Sequence, residues 1–211
     1  AMESIAQLER WMTAISEPHI VLGYGSLMNS DSRSRHSGIP HDGVEVEVFG
    51  FERGWITRSE PELQTYVGAY QKKDGWLNAQ LVPTHLDPAL QKREQDYRFT
   101  PVTIDQLNFE LADDLTERLI EWLKLRDIWI CESLKVEFSS ADYPVHQSYI
   151  DTCLAGCLEL GGEAAARRFI DSTTGWQHHR VNDREAPRYP RAAVVNPAYF
   201  AVIDQLLDDP S

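Results

Sequence analysis

Two short segments hold the residues best suited to chemistry. Gly23-Tyr24-Gly25-Ser26-Leu27 sits at the end of His19 to Tyr24, a run that reads as a short buried strand stopped by Gly25-Ser26. A tight bend at a strand end gathers successive main-chain N–H groups into a concavity that suits a carboxylate or a developing oxyanion. Its two glycines let the backbone come close to a ligand, and Ser26 adds a hydroxyl donor. Farther along, Leu90-Gln91-Lys92-Arg93-Glu94-Gln95-Asp96-Tyr97 sets an acid, Glu94, at a helix-to-strand junction. Each segment alone also has a plainer reading: a Gly-Ser turn that only ends a strand, and a solvated surface glutamate. What the two could do together is bind an anionic group and move a proton beside it.

A third segment, residues 171–191, is long for a connection without secondary structure and holds Trp176, His178, His179, Asn182, Asp183 and Arg184. His178, His179 and Asp183 are of metal-ligand type, but no ligand spacing such as His-Glu-x-x-His accompanies them, so no metal site is expected. Two other readings stay open for this loop. It packs over the sheet with its charges paired, or Trp176, Asn182 and Arg184 form a wall for the far part of a substrate. Cys153 and Cys157 lie four apart in a helical pattern, too far for a disulfide, and read with Cys131 as reduced core thiols.

The elements that must position these residues follow from periodicity. Ile5, Leu8, Met12 and Ile15 predict an opening helix that ends near Glu17-Pro18. Val44, Val46 and Val48 alternate with acids, as a strand with one wet face does. Thr65 to Gln71 and Leu77 to Pro83 read as strands joined by a hairpin at Lys72-Lys73-Asp74-Gly75. Asp87 caps and Pro88 opens a short helix that carries Glu94 toward a strand from Tyr97. Leu115, Leu119 and Leu123 suggest a helix and Ile128 to Ile130 a strand. A long helix after Pro144 ends at Gly161-Gly162, a second runs from Glu163 to Ile170, and a last one from Pro197 to Leu207. The expected fold class is α+β: one domain over residues 1–211, a small mixed or antiparallel β-barrel with flanking helices, extended by helices from about residue 144 to 211.

Composition limits the partners. The formal net charge of -13 argues against nucleic acid, and no run approaches a membrane span, so a cytoplasmic protein acting on a small molecule, as monomer or homodimer, is expected. An acidic chain that binds an anion must aim N–H groups at it, which the Tyr24–Leu27 bend could do.

Taken together, the Tyr24-Gly25-Ser26-Leu27 loop after the first strand and the short helix ending in Arg93-Glu94 before Tyr97 resemble the γ-glutamylcyclotransferase-like superfamily. The resemblance covers roughly residues 19–104. Residues 131–195 are similar to a bacterial and plant branch of it, with Tyr143-Pro144, Gln147-Ser148-Tyr149 and Asn182-Asp183-Arg184 as landmarks. The resemblance implies cyclisation of a γ-glutamyl amine or peptide to 5-oxoproline with release of the amine, without a cofactor. Tyr24, Gly25, Ser26, Leu27 and Tyr97 would contact the substrate, and Glu94, with a raised pKa, would take the proton of the α-ammonium and return one to the departing nitrogen. Alternatives on the same fold are a related lactam-forming or amide-cleaving enzyme of a specialised amino-acid metabolite, and a non-catalytic binding module.

Overall fold

The computed structural model describes residues 2–208, with all their side chains except those of Ala89 and Arg93. A capping box between Ser4 and Gln7 starts α1 (Ile5–Thr13), which stops short of the expected Glu17-Pro18 boundary. Then come β1 (His19–Gly23), a 3-10 turn (Ser26–Met28), α2 (Ser30–Ser37), and two long strands, β2 (Val44–Ser59) and β3 (Gln64–Thr84). The next elements are α3 (Pro88–Arg93), β4 (Tyr97–Pro101), β5 (Leu107–Asn108), α4 (Asp113–Leu123) and β6 (Asp127–Ser133). The chain ends with β7 (Val145–His146), α5 (Gln147–Asp171), β8 (Thr173–Thr174), β9 (Arg180–Val181) and α6 (Pro197–Asp208). Gly162, at φ 67°, interrupts α5 where the glycine pair predicts a break. Among the described residues no helix is long and apolar enough to cross a membrane.

The sheet runs β4-β6-β1-β3-β2-β5, with β8 alongside β2. It is mixed: β1 is parallel to β6 and antiparallel to β3. The anticipated hairpin at Lys72–Gly75 is absent. Both halves of β3 pair antiparallel with β2, Leu77 with Val48 and Gln71 with Phe51, so the segment bulges out of one continuous strand opposite Gly50. A bulge of this kind bends the ribbon and lets the sheet curl. The curl has a consequence for β1, which ends at Gly23. Beyond that end the first half of β3 meets β6 directly, Ala69 opposite Glu132. The chain therefore leaves the sheet through a gap between β3 and β6, and the Tyr24–Leu27 bend lies there.

Two arginines are buried in the core at 0% and 2% exposure, Arg53 and Arg33, and both hold this bend. Arg53 Nε donates to the Tyr24 carbonyl at 2.9 Å, and its other nitrogens reach Ser172 Oγ, Thr173 Oγ1 and both oxygens of Asn78. Its guanidinium also lies 4.0 Å over the Phe169 ring. Every one of these partners is neutral. Burial, against nearby groups that favour the charge, brings its pKa down to about 10, so it remains a cation at neutral pH. Arg33 donates to the Leu27 carbonyl at 2.7 Å and to Gln80 Oε1 at 3.1 Å. From the other side α5 presses on the bend at Gly156, where a Cβ would sit 2.4 Å from the Met28 carbonyl oxygen. Asn29 fastens the same junction, accepting from Ser32 N and donating to the Thr152 carbonyl.

Arg53→Met strands several buried acceptors while keeping the aliphatic volume. It is expected to lower the unfolding free energy by about 3 kcal/mol, read as a lower urea midpoint at unchanged m-value.

Candidate active site

The Tyr24–Leu27 bend and Glu94 line one cavity, together with Tyr66, Val67, Asp96, Tyr97, Cys131, Tyr149, Tyr189 and Arg191. Its free space is about 40 Å³, room for a few water molecules. A larger cavity of about 650 Å³ is lined by α1, the start of β2 and α5. Glu94 is not among its walls, so the smaller cavity is the one that joins an acid to the amide bend.

Hydrogen bonding decides what the bend offers a ligand. All four of its carbonyls are engaged: Tyr24 by Arg53, Gly25 by Met28 N at 3.0 Å, Ser26 by Asn29 N at 3.0 Å, and Leu27 by Arg33. The Gly25 and Leu27 amides, by contrast, donate to no protein acceptor among the described residues. The bend therefore presents donors, as an anion or oxyanion receptor must. Gly25 allows the close fit: a Cβ there would lie 2.7 Å from Val67 Cγ2 and 2.8 Å from the Tyr149 hydroxyl oxygen.

Glu94 closes α3. Asp87 caps that helix through Leu90 N, Pro88 stands in its first turn, and the Glu94 amide bonds the Leu90 carbonyl. The half-buried carboxyl is close enough for its charge to be felt by Tyr24, Tyr97 and Arg191. Burial first, then Glu94, lifts Tyr97 well above the ordinary phenol range; burial, then Tyr97, Cys131 and Glu94, does the same to Tyr24. Both therefore stay protonated. Tyr24 donates to the Cys131 carbonyl and Tyr97 to the Val67 carbonyl, so toward any further partner each phenol oxygen is an acceptor. Acceptors beside a carboxylate suit an ammonium group.

The wall expected from the 171–191 loop is built from other residues. Trp176 is drawn into an aromatic cluster, 5.2 Å from Trp55, with its indole N–H on the Ile170 carbonyl. Asn182 caps the Arg184 amide, and Arg184 is neutralised by Asp151 and Asp204, each at 2.8 Å. None of the three lines the cavity with Glu94. The loop reaches it instead through Tyr189, whose hydroxyl donates to Ser26 Oγ at 2.7 Å, and through Arg191. Asp183 fixes this strap by accepting from Ser148 N, Ser148 Oγ and Arg188 N. His178 stacks on Phe138, and among the described residues no group of three or more His, Cys, Asp or Glu side chains could hold a metal ion. The aromatic wall of Tyr66, Tyr149 and Tyr189, with ring centroids 4.5–5.4 Å apart, escaped the sequence reading. A buried tyrosine carries no mark in the sequence of where its hydroxyl goes.

No protein-family model matches the chain, and no curated protein sequence does. Among solved structures, a gamma-glutamyl cyclotransferase aligns over 89% of this chain and 98% of its own, with a TM-score of 0.51 at 9% identity. The chain has the γ-glutamyl cyclotransferase-like fold. YkqA from Bacillus subtilis aligns over 80% of this chain at 19% identity and TM-score 0.49, and the chain spans 60% of YkqA's length. The uncharacterized protein loc79017 from Homo sapiens aligns over 88% of this chain and 97% of its own, at 9% identity and TM-score 0.48.

Gly25→Ala, which forces its Cβ against Val67 and Tyr149, is expected to cost about 1–3 kcal/mol of stability and to close the cavity, checked by thermal melting and a ligand titration. Asp183 gives a pH test. Burial would raise its pKa, but its bonds from the Ser148 hydroxyl and from the Arg188 and Ser148 amides hold it below the ordinary aspartate value. A depressed carboxyl stabilises the fold above its unfolded pKa and loses that contribution as pH falls through the folded one. Stability should therefore decline below about pH 4, and Asp183→Asn should flatten that decline in denaturation curves taken across pH.

Proposed function

We propose that the protein is a cytoplasmic, cofactor-free enzyme that cyclises a γ-glutamyl amine or peptide to 5-oxoproline and releases the amine. The observation that carries this reading is the shared cavity: an amide bend with its carbonyls engaged, and a carboxyl from a different element, face the same space. The fold it shares with a gamma-glutamyl cyclotransferase agrees with it.

The chemistry needs no covalent intermediate with the protein. The substrate's α-amine attacks its own γ-carbonyl carbon, a ring C–N bond forms, and the C–N bond to the leaving amine breaks. An α-ammonium cannot attack, so Glu94 takes its proton and returns one to the departing nitrogen, a contribution of about 10²–10⁴-fold in rate. The phenol oxygens of Tyr24 and Tyr97 accept from the ammonium before it is deprotonated. The amide bend receives anionic oxygen, and holding amine and carbonyl about 3–3.5 Å apart supplies several kcal/mol of orientation. Because the free space is small, the strap carrying Tyr189 and Arg191 must shift when substrate enters.

Glu94→Gln should abolish 5-oxoproline release, a loss of at least about 10², with melting temperature and product affinity little changed. A screen of γ-glutamyl amines, γ-glutamyl amino acids and glutathione is the decisive assay. An active Glu94→Gln variant would remove the acid-base role, and a folded wild-type protein that binds these compounds and turns over none would leave a binding module.

A further inference from the structure

We infer that Arg191 is the seat of the substrate's α-carboxylate, which makes the cavity selective for ligands bearing a carboxylate on the carbon next to the reacting amine. The γ-glutamyl reading supplies the identity of the ligand here; the need for a cation comes from the cavity itself. Its walls hold two acids, Glu94 and Asp96, and among the described residues one cation, Arg191. An amine that reaches Glu94 brings its neighbouring carboxylate close to an ionised glutamate, in a chain whose formal net charge is already -13. Main-chain amides can orient that carboxylate, but they carry no net charge to set against the repulsion. Arg191 does.

The geometry fits such a role. The Arg191 guanidinium lies 5.2 Å from the Tyr189 ring and 5.9 Å from the Tyr66 ring, two walls of the cavity. Its Nε is buried and has no hydrogen-bond partner among the described residues. A buried N–H left unbonded is costly, and a carboxylate that accepts from a guanidinium makes the stronger, charge-assisted kind of bond. Burial works against the Arg191 charge, yet Tyr189, Glu94 and Tyr66 around it more than offset this, and its pKa is raised. Tyr189 also bonds Ser26, so one short stretch of strap sets the cation beside the amide bend.

Three substrates separate the possibilities. γ-Glutamyl methylamide carries the α-carboxylate alone, γ-glutamylglycine adds a carboxylate on the leaving group, and 4-aminobutyryl methylamide keeps the amine and the carbonyl but has no carboxylate. Arg191→Gln, with folding checked by circular dichroism, should lower kcat/KM for the first two by about 10- to 100-fold, mostly through KM. It should cost 4-aminobutyryl methylamide far less, a residual fall that reports the loss of the Arg191 charge beside Glu94, and Arg191→Lys should restore part of the loss. An equal fall on all three substrates, or a loss confined to γ-glutamylglycine, overturns the assignment. Product binding tests it without turnover. In calorimetry the wild type should prefer 5-oxoproline to neutral 2-pyrrolidinone, and Arg191→Gln should erase the preference; equal wild-type affinity for the two refutes it. A wild type that cyclises none of the substrates but keeps the preference would fault the γ-glutamyl reading alone.

Discussion

A buried cation with only neutral partners organises this molecule. Taking an arginine out of water costs several kcal/mol, and it is tolerated only where hydrogen bonds surround the charge. Arg53 meets that demand with carbonyls and side-chain oxygens drawn from the Tyr24 bend, β3 and the end of α5. These segments are fixed relative to one another by a common donor. The consequence for the bend is chemical as well as structural. Arg53 polarises the peptide group whose N–H belongs to Gly25. Arg33 polarises the group whose N–H, on Met28, in turn bonds the Gly25 carbonyl and so acts on the Ser26 amide. Hydrogen bonds in series strengthen one another, by roughly 10–30% each. Two buried guanidiniums thus make the amides of the bend better donors, in a chain whose overall charge repels anions.

The topology explains why an acid meets those amides. β1 is five residues long, while the strands on either side continue past its end. Where it stops, the sheet closes on itself, and the polypeptide leaving it is held in the seam. β4 pairs with the far end of β6, Tyr97 opposite Ser133, one residue from the β3–β6 closure at Glu132. The short helix α3 delivers the chain to that same end, and Glu94, its last cap, comes with it. A cavity at a seam of this kind needs only one strap to cover it.

Much of this was legible in the residues. The buried run into Gly-Ser, the Asp87-Pro88 helix start and the glycine break within α5 each rest on local physics that the tertiary structure left intact. The features that were not legible are non-local. Lys72–Gly75 has the composition of a turn, and only pairing of both flanks with the same β2 shows that it is a bulge. Arg184 and Arg191 look alike in the sequence. One is neutralised by Asp151 and Asp204 from α5 and α6, and the other is carried to the cavity; neither outcome is written in their neighbours. Arg53 and Arg33 gave no sign of burial, because an arginine in an amphipathic strand or a polar helix ordinarily faces water.

The closed state of the cavity carries its own energetic logic. Tyr189 places a hydroxyl on Ser26, one of the residues that the fold presents to an incoming group, and its ring packs between Tyr66 and Tyr149. A ligand that enters must displace that hydroxyl and the packing behind it, and only one that repays the lost contacts keeps the strap open. On the proposed reading an amino-acid end would do so from both sides, its carboxylate on main-chain and guanidinium donors and its ammonium on Glu94 and two phenol oxygens. A neutral amide or an isolated carboxylate satisfies one half of that lining and leaves the other buried without a partner. Discrimination by unmet hydrogen bonds is steep. On the proposed reading, the unengaged amides of the bend and the acceptors around Glu94 would together favour a zwitterionic ligand before any bond is made or broken.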